Sequence, residues 1–254
     1  MKKVIENYKD ALALRDELSA EQMKGFHLLY RGHEIDTYEL LSMVGRKKPK
    51  GIDLLQCERE CFNEFVDTVI RYKWEQFKLD SYNNKMFYLS LGRHLGLDCR
   101  LLDWTASLDT ALYFASYKKQ LQKEKGALWI MLYRGSLEES SAKFNPFDVK
   151  EVTLVKEAYI IPRNQKFDNL PLGELRRFYQ NGFFTITPSD KLTIPLNSIQ
   201  TNHIEYIKIE VTPNAKIDIM DNLGSDYTTK VHMTSKESML ESTIKRINEK
   251  HFNQ

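Results

Sequence analysis

The sequence predicts an α+β fold in which a helix-rich N-terminal half packs on a mixed or antiparallel sheet formed by the C-terminal half. Two patterns support this prediction. Apolar residues recur at intervals of three and four through most of the first hundred residues, as they do along one face of a helix. After residue 126 the apolar residues instead form continuous runs or alternate with polar residues, as they do in strands. Helices followed by strands favour an α+β fold over a regular βαβ series.

Five helices are predicted from this spacing, four in the first half and one near the C-terminus, besides the apolar helix expected after residue 105. The N-terminal helix has apolar side chains at helical intervals from Val4 to Leu18, and the third helix has the longest helical pattern in the chain. Gly96 is expected to end the fourth helix, because glycine accepts the left-handed conformation that commonly follows a last turn. The predicted helices cover residues 1–22, 34–43, 52–79, 83–95 and 236–249.

The predicted strands are short apolar runs bounded by turn-forming residues. The run from Phe26 to Tyr30 is the first, and Gly32 is expected to end it. A second short core strand leads into the polar tripeptide 103–105, directly before an apolar helix. The other predicted strands cover residues 127–134, 151–161, 182–186 and 203–211. Since no change of composition marks a linker, residues 1–254 are predicted to form a single domain.

The composition and charge of the chain argue against some classes of function. The 37 basic and 35 acidic residues nearly balance, so no overall field favours nucleic acid or an anionic membrane. The N-terminus is charged throughout and no apolar segment is long enough to span a bilayer, which predicts a soluble, cytoplasmic protein. Histidines and cysteines never occur at zinc-ligand spacing, so no metal site is predicted.

Four sequence blocks are similar to those of a known family. They are Tyr30-Arg31-Gly32, CERECFNEF, LGRHLGLDCRLLDWTASLDTALYFA and RRFYQNGFFTI. On these blocks the chain resembles the FRG-domain family, named for a Phe-Arg-Gly near its start, over roughly residues 25–190. It departs from the usual family pattern at Arg93, where Gln is common, and at Cys99, where Thr is common. The family carries no settled biochemical function.

A more distant resemblance, to the arginine-type ADP-ribosyltransferases, implies an ADP-ribosyltransferase-like fold and a use of NAD. In those enzymes an Arg ends one strand, a hydroxyl motif precedes an apolar helix, and a later strand supplies a Glu or Gln. The blocks of this chain occur in the same order. The resemblance therefore implies binding of NAD or a related nucleotide, followed by transfer of its ADP-ribose to a protein or nucleic-acid acceptor, or by its hydrolysis. Such an activity would suit a toxin or a phage-defence protein in bacteria.

This resemblance implies a role for each candidate residue. Arg31 would contact the phosphates and Arg100 would be a second cation nearby, since a guanidinium fork suits two phosphate oxygens. Thr105 and Asp103 would orient the ribose, and Tyr113 or Phe114 would hold the nicotinamide. Gln180 would occupy the position of the late Glu or Gln, with Glu174 as the available carboxylate. The candidates that would line the same opening are His33, Glu34 and His94.

Structural interpretations of the same residues stay open at this stage. Arg31 and Asp103 can instead form a buried ion pair that joins two strands. Trp104 is expected to be a core residue, and either Thr105 or Ser107 to cap the following helix. A non-catalytic module that binds a nucleotide or nucleic acid is the alternative function. The basic segment 46–50 and the run 176–179, which joins two arginines to two aromatic residues, suit a single-stranded backbone.

Overall fold

The computed structural model describes residues 3–22, 25–47, 53–71, 85–135, 144–156, 182–231 and 238–252. Its helices are α1 (Tyr8–Gln22), α2 (Met43–Arg46), α3 (Leu54–Arg71), α4 (Lys85–His94), α5 (Leu108–Ser116), α6 (Pro213–Val231) and α7 (Ser238–Phe252). Single 3-10 turns lie at Lys119–Leu121, Ser189–Lys191 and Leu196–Ser198. In the part of the chain so described, no helix has both the length and the apolar character needed to cross a bilayer.

Within the described residues, seven strands form one mixed sheet, which confirms the α+β class. They are β1 (Val4–Ile5), β2 (His27–His33), β3 (Leu101–Thr105), β4 (Gly126–Tyr133), β5 (Thr153–Lys156), β6 (Gly182–Ile186) and β7 (Ile204–Val211). Their order across the sheet is β1-β7-β4-β2-β3-β6-β5. All neighbours are antiparallel except β1 and β7. The sheet draws strands from both halves of the chain, so the helical half also supplies part of it.

Several element predictions are corrected by the structure. Residues 4–5 pair with β7 as a strand, and the first helix begins only at Tyr8. Strand β2 continues through Gly32 to His33, because the whole segment pairs with β4. Residues 34–42 are turns and extended chain, and only the four residues of α2 are helical there. Helix α6 was not predicted.

Two groups of helices cover the sheet. Helices α1, α5 and α6 pack with β2, β4 and β7 in one apolar cluster that includes Leu28, Ala111, Ile130 and Ile219. Helices α3, α4 and α7 pack with β3, β5 and β6 in another, which includes Phe65, Leu89, Phe184 and Ile247. A third cluster contains Trp104, Trp129 and Met131. Trp104 is thus confirmed as a core residue, and its indole nitrogen donates to Thr185 Oγ1 at 3.0 Å.

Candidate functional site

A cavity of about 510 Å³ lies between α4 of one helix group and α5 of the other. Strands β2, β3 and β6 also line it, as do the segment from Glu34 to Arg46 and two residues that follow the helices, Gly96 after α4 and Lys118 after α5. A volume of this size is in the range that small-molecule ligands occupy in proteins. Most of the residues predicted for a ligand site line it.

The cavity lies where β2 and β3 separate. The ladder between these strands contains one register pair, Tyr30 with Thr105. Beyond it, Arg31 Nη1 donates to the backbone carbonyl of Asp103 at 2.7 Å. In a continued ladder, a backbone N–H would donate to this carbonyl oxygen. Because the strands have separated here, the Arg31 side chain donates to it instead. The guanidinium of Arg31 is held between the two strands by this contact.

Gly32 explains why helix α5 can lie against β2 beside the cavity. A Cβ built on Gly32 would stand 1.9 Å from the Ala111 carbonyl oxygen and 2.6 Å from the Ala115 nitrogen. Both are backbone atoms of α5, so the clash cannot be relieved by turning a side chain. The glycine of the Tyr-Arg-Gly block is therefore required for close approach of a strand and a helix.

Asp103 is the centre of an ion network on the cavity wall. Arg93 donates to its Oδ2 from Nε at 3.0 Å and from Nη2 at 2.6 Å, and Arg31 Nη1 lies 3.5 Å from the same oxygen. Burial favours the neutral acid, but the charges of Arg93 and Arg31 outweigh it and hold the pKa of Asp103 well below its usual range. Oδ1 accepts no hydrogen bond from the residues that the structure describes, and the side chain is 38% exposed. One carboxylate oxygen is thus available to a ligand hydroxyl.

His33 positions the guanidinium of Arg31. Arg31 Nε donates to His33 Nε2 at 3.0 Å, and His33 Nδ1 lies 3.2 Å from the carbonyl oxygen of Tyr38. Burial, and then the charge of Arg31, lower the pKa of His33 to about 3. The imidazole is therefore neutral near pH 7, with its proton on Nδ1 and its Nε2 lone pair turned to Arg31. Burial likewise lowers the pKa of Arg31, partly offset by Asp103, to about 10, so the guanidinium stays charged.

Three arginines each keep donors that the described residues leave unpaired. Arg31 uses Nε and Nη1, and Arg93 uses Nε and Nη2. Arg46 is anchored by one bond, from Nε to the carbonyl oxygen of Leu41 at 3.1 Å. The side chain of each is thus fixed by part of its fork, while the remaining nitrogens can reach an anion in the cavity.

The charge of the lining favours an anionic ligand. Among the described lining residues the cations are Arg31, Arg46, Arg93 and Lys118, and the carboxylates are Glu34 and Asp103. Four positive and two negative charges leave the wall at +2. Lys118 Nζ lies 2.6 Å from Glu34 Oε1, so this carboxylate is already paired. Burial and the charge of Arg93 lower the pKa of Arg46, as expected for cations that crowd together.

Thr105 lines the cavity and also supports the turn into α5. Its Oγ1 accepts a hydrogen bond from the Ser107 backbone nitrogen at 3.0 Å. Ser107 itself is the N-cap of α5, since its side chain accepts from the Thr110 nitrogen. Of the two capping candidates, Ser107 therefore caps the helix. Orientation of a ribose by Thr105 stays a prediction.

Of the aromatic and imidazole candidates of helices α4 and α5, some line the cavity and one does not. Phe114 lines the cavity from α5, whereas Tyr113 is buried and stacks on Tyr117 with ring centroids 5.3 Å apart. His94 lines the opposite wall from α4, and its ring packs edge-on to Phe184 at 5.9 Å. Of the two residues suggested for holding a nicotinamide, only Phe114 is in position to do so.

Arg100 does not line the cavity that Arg31 lines. The Arg100 side chain is fully buried outside the cavity lining and is paired with Glu58, with Nη2 and Oε2 2.6 Å apart. Its Nη1 donates to Ser189 Oγ at 3.1 Å, and its guanidinium stacks over Phe147 at 5.0 Å. Arg100 therefore joins α3 to the residues around β3 and β6, and its role is structural.

Two of the three arginines in the cavity lining were not predicted as site residues. Arg93 was noted only as a departure from the family pattern, and Arg46 only as part of a basic segment. Arg93 lies 62 positions and Arg46 lies 15 positions from Arg31 along the chain, so no local spacing links them. The basic character of residues 46–50 was the one signal that could have identified Arg46.

Other predictions fall on residues outside the described ranges. Gln180 and Glu174 belong to 157–181, as do the arginines and aromatic residues at 176–179, and most of the basic segment lies in 48–52. Within the described ranges no group of three or more His, Cys, Asp or Glu side chains could hold a metal ion.

Comparison with known proteins finds one family model that matches part of the chain. Residues 26–124 match the family model of the FRG domain. The match contains β2, α4, β3 and α5, and therefore most of the cavity wall. No curated protein and no solved structure matches the chain.

Proposed function

We propose that this chain uses its FRG domain to bind NAD or a related nucleotide in the cavity between α4 and α5. One observation carries the proposal. Arg31, Arg93, Asp103, Thr105 and Phe114, which lie on four different elements, converge on a cavity whose described lining residues have a net charge of +2. Guanidinium donors, a carboxylate oxygen and an aromatic ring are the groups that phosphates, ribose hydroxyls and a planar base require.

Each part of the ligand has a partner of suitable chemistry. The unpaired nitrogens of Arg31 and Arg93 would donate to the phosphate oxygens. Oδ1 of Asp103 would accept from a ribose hydroxyl, and because two arginines hold Oδ2, the carboxylate would not need to reorient on binding. Phe114 would contact the nicotinamide ring.

We propose further that the bound NAD reacts at the nicotinamide ribose. The bond between the ribose C1 and the ring nitrogen would break, and the bonding electrons would neutralise the positive nicotinamide as it leaves. Water, or a nucleophile of a protein or nucleic-acid acceptor, would add to C1 and lose a proton. Gln180 or Glu174 is the expected stabiliser of the ribose cation. A toxin or phage-defence protein is the setting proposed for this activity.

Binding without chemistry is the second candidate, and a specific observation favours it. Both carboxylates that the described residues bring to the cavity are paired with cations, Asp103 with two arginines and Glu34 with Lys118. A compensated carboxylate stabilises a developing cation poorly, because its field is largely cancelled. Catalysis would therefore depend on a group outside this network.

Calorimetric titration with NAD tests the binding proposal, and chromatographic detection of released nicotinamide tests the chemistry. We expect Arg31→Gln and Arg93→Gln each to weaken NAD binding about tenfold or more, since each removes a charged hydrogen bond. Arg246→Gln, an exposed arginine of α7 away from the cavity, is the matched control and should bind like the wild type. Absence of NAD binding by the wild-type protein rejects the proposal. Binding without nicotinamide release selects the second candidate.

A further inference from the structure

The rim of the cavity carries an aromatic residue that the inner site does not use. Tyr38 lines the cavity and is 41% exposed. Of the large apolar side chains exposed in the described part of the chain, which also include Ile70, Ile194 and Ile217, only Tyr38 belongs to the cavity lining. An exposed ring at the mouth of a cationic cavity offers a stacking surface for a base.

The segment that presents Tyr38 is held in place by its backbone. The Tyr38 carbonyl oxygen lies 3.2 Å from His33 Nδ1, and the Tyr38 nitrogen donates to the Ile35 carbonyl at 3.2 Å. The Asp36 nitrogen donates to the Lys125 carbonyl at 2.9 Å, which ties the segment to the start of β4. Since His33 also holds Arg31, one imidazole fixes both the rim and the inner guanidinium. The rim is preorganised, so binding a ligand there does not require ordering of the segment.

Arg46 adds a cation to the same rim. Its Nε is bonded to the carbonyl oxygen of Leu41, three residues after Tyr38, and its two terminal nitrogens have no partner among the described residues. Arg46 lines the same cavity as Arg31, Arg93 and Tyr38. Its terminal nitrogens therefore belong to the same opening as the inner cations and the exposed ring.

We infer that Tyr38 and Arg46 form an outer subsite for the adenosine phosphate half of a dinucleotide, with adenine stacked on Tyr38 and its phosphate bound by Arg46. The inference rests on the proposed function, which assigns the reacting ribose to Asp103 and Thr105 and so leaves the other half of the ligand for the rim. The preferred ligand class is then a dinucleotide joined by a diphosphate bridge. The two negative charges of such a bridge match the +2 of the cavity wall.

The inference predicts that changes at the rim affect only ligands that contain the adenosine half. The probes are NAD, AMP and nicotinamide mononucleotide, titrated calorimetrically into the full chain. Arg46→Gln is expected to weaken NAD and AMP about tenfold and nicotinamide mononucleotide less than about twofold. Tyr38→Ala is expected to weaken NAD and AMP about fivefold or more, whereas Tyr38→Phe, which keeps the ring, should bind within about twofold of the wild type. Ile217→Ala and Arg246→Gln are the exposed controls on α6 and α7.

The possible results separate this inference from the function on which it rests. Loss of NAD and AMP affinity with retention of nicotinamide mononucleotide supports the outer subsite. If NAD binds the wild type but Arg46→Gln and Tyr38→Ala bind it equally well, or weaken the two mononucleotides to the same extent, the outer subsite is refuted and the nucleotide site stands. If wild-type protein binds neither NAD nor AMP, both are refuted.

Discussion

Replacing Gly32 with alanine places a methyl group into the contact between strand β2 and helix α5. The new Cβ would lie 1.9 Å from the Ala111 carbonyl oxygen, whereas ordinary contact begins near 3.4 Å. Strand and helix would therefore have to separate by about 1.5 Å, the difference between these distances. The facing residues Ala111, Leu112 and Ala115 are fully buried, so separation would also loosen their packing. We expect a loss of about 3 kcal/mol in the free energy of unfolding, at the upper end of typical overpacking.

Gly92→Ala is the matched control for this substitution. The nearest atom to a Cβ at Gly92 is Leu97 Cδ2 at 2.7 Å, the movable end of a side chain. Alanine also has a higher helix propensity than glycine by about 1 kcal/mol, which offsets the contact within α4. Urea unfolding followed by circular dichroism at 25 °C should place Gly92→Ala within about 1 kcal/mol of the wild type. A Gly32→Ala protein as stable as Gly92→Ala would refute the close approach of β2 and α5.

Three further predictions concern polar contacts of the core and of the cavity wall. Glu58→Gln should lower the free energy of unfolding in urea by about 3 kcal/mol or more, because it leaves Arg100 buried without its carboxylate partner. Adding Arg100→Met should restore part of this loss. A loss below about 1 kcal/mol would contradict the buried pair. Asp103 has a pKa in the folded protein that is below its unfolded value. Its contribution to the free energy of unfolding is therefore complete above about pH 4 and is lost as the pH falls further. The stability difference between the wild type and Asp103→Asn should thus shrink below pH 4, and a difference that grows there would contradict the assigned direction of the pKa shift. Thr185→Val removes the acceptor of the Trp104 indole and should cost about 1–3 kcal/mol, measured by thermal unfolding, whereas Thr37→Val on the exposed segment after β2 should be nearly neutral.

Local patterns were sufficient for many elements of the fold. Strand β6 was predicted with its observed bounds, and α4 ends before Gly96, whose φ of +94° is the left-handed conformation expected after a last turn. Helix α3 begins within two residues of its predicted start. In each case the signal depends on neighbours within a few residues, so the sequence contains it directly.

Predictions failed where a distant partner decides the local structure. The dipeptide Val4–Ile5 has helical spacing with the residues that follow, but pairing with β7 makes it a strand. Gly32 would end an isolated strand, yet β4 pairs with residues on both sides of it. The 34–43 segment contains helix-forming residues, but bonds to Lys125, just before β4, and to His33 hold most of it in turns and extended chain. Tertiary hydrogen bonds outweigh local propensity at these positions.

Some residues of the candidate site could likewise be predicted from the sequence, whereas their partners could not. Arg31, Asp103 and Thr105 stand in sequence blocks whose polar residues interrupt apolar runs, and this contrast identified them without a structure. The partners of Asp103 depend on which strands and helices adjoin β3, and no pattern in the sequence states that Arg93 reaches its carboxylate while Arg100 turns to Glu58.

The sequence by itself determined the α+β class, the Tyr-Arg-Gly and Asp-Trp-Thr blocks, and the burial of Trp104, because each of these follows from local periodicity and residue chemistry. Only the tertiary structure decided that Arg31, Arg46 and Arg93 share one cavity, that His33 is held neutral against Arg31, and that Gly32 lets α5 approach β2. These features depend on distances between elements far apart in the chain. Such distances are set by the packing of the whole sheet, which no short stretch of residues encodes.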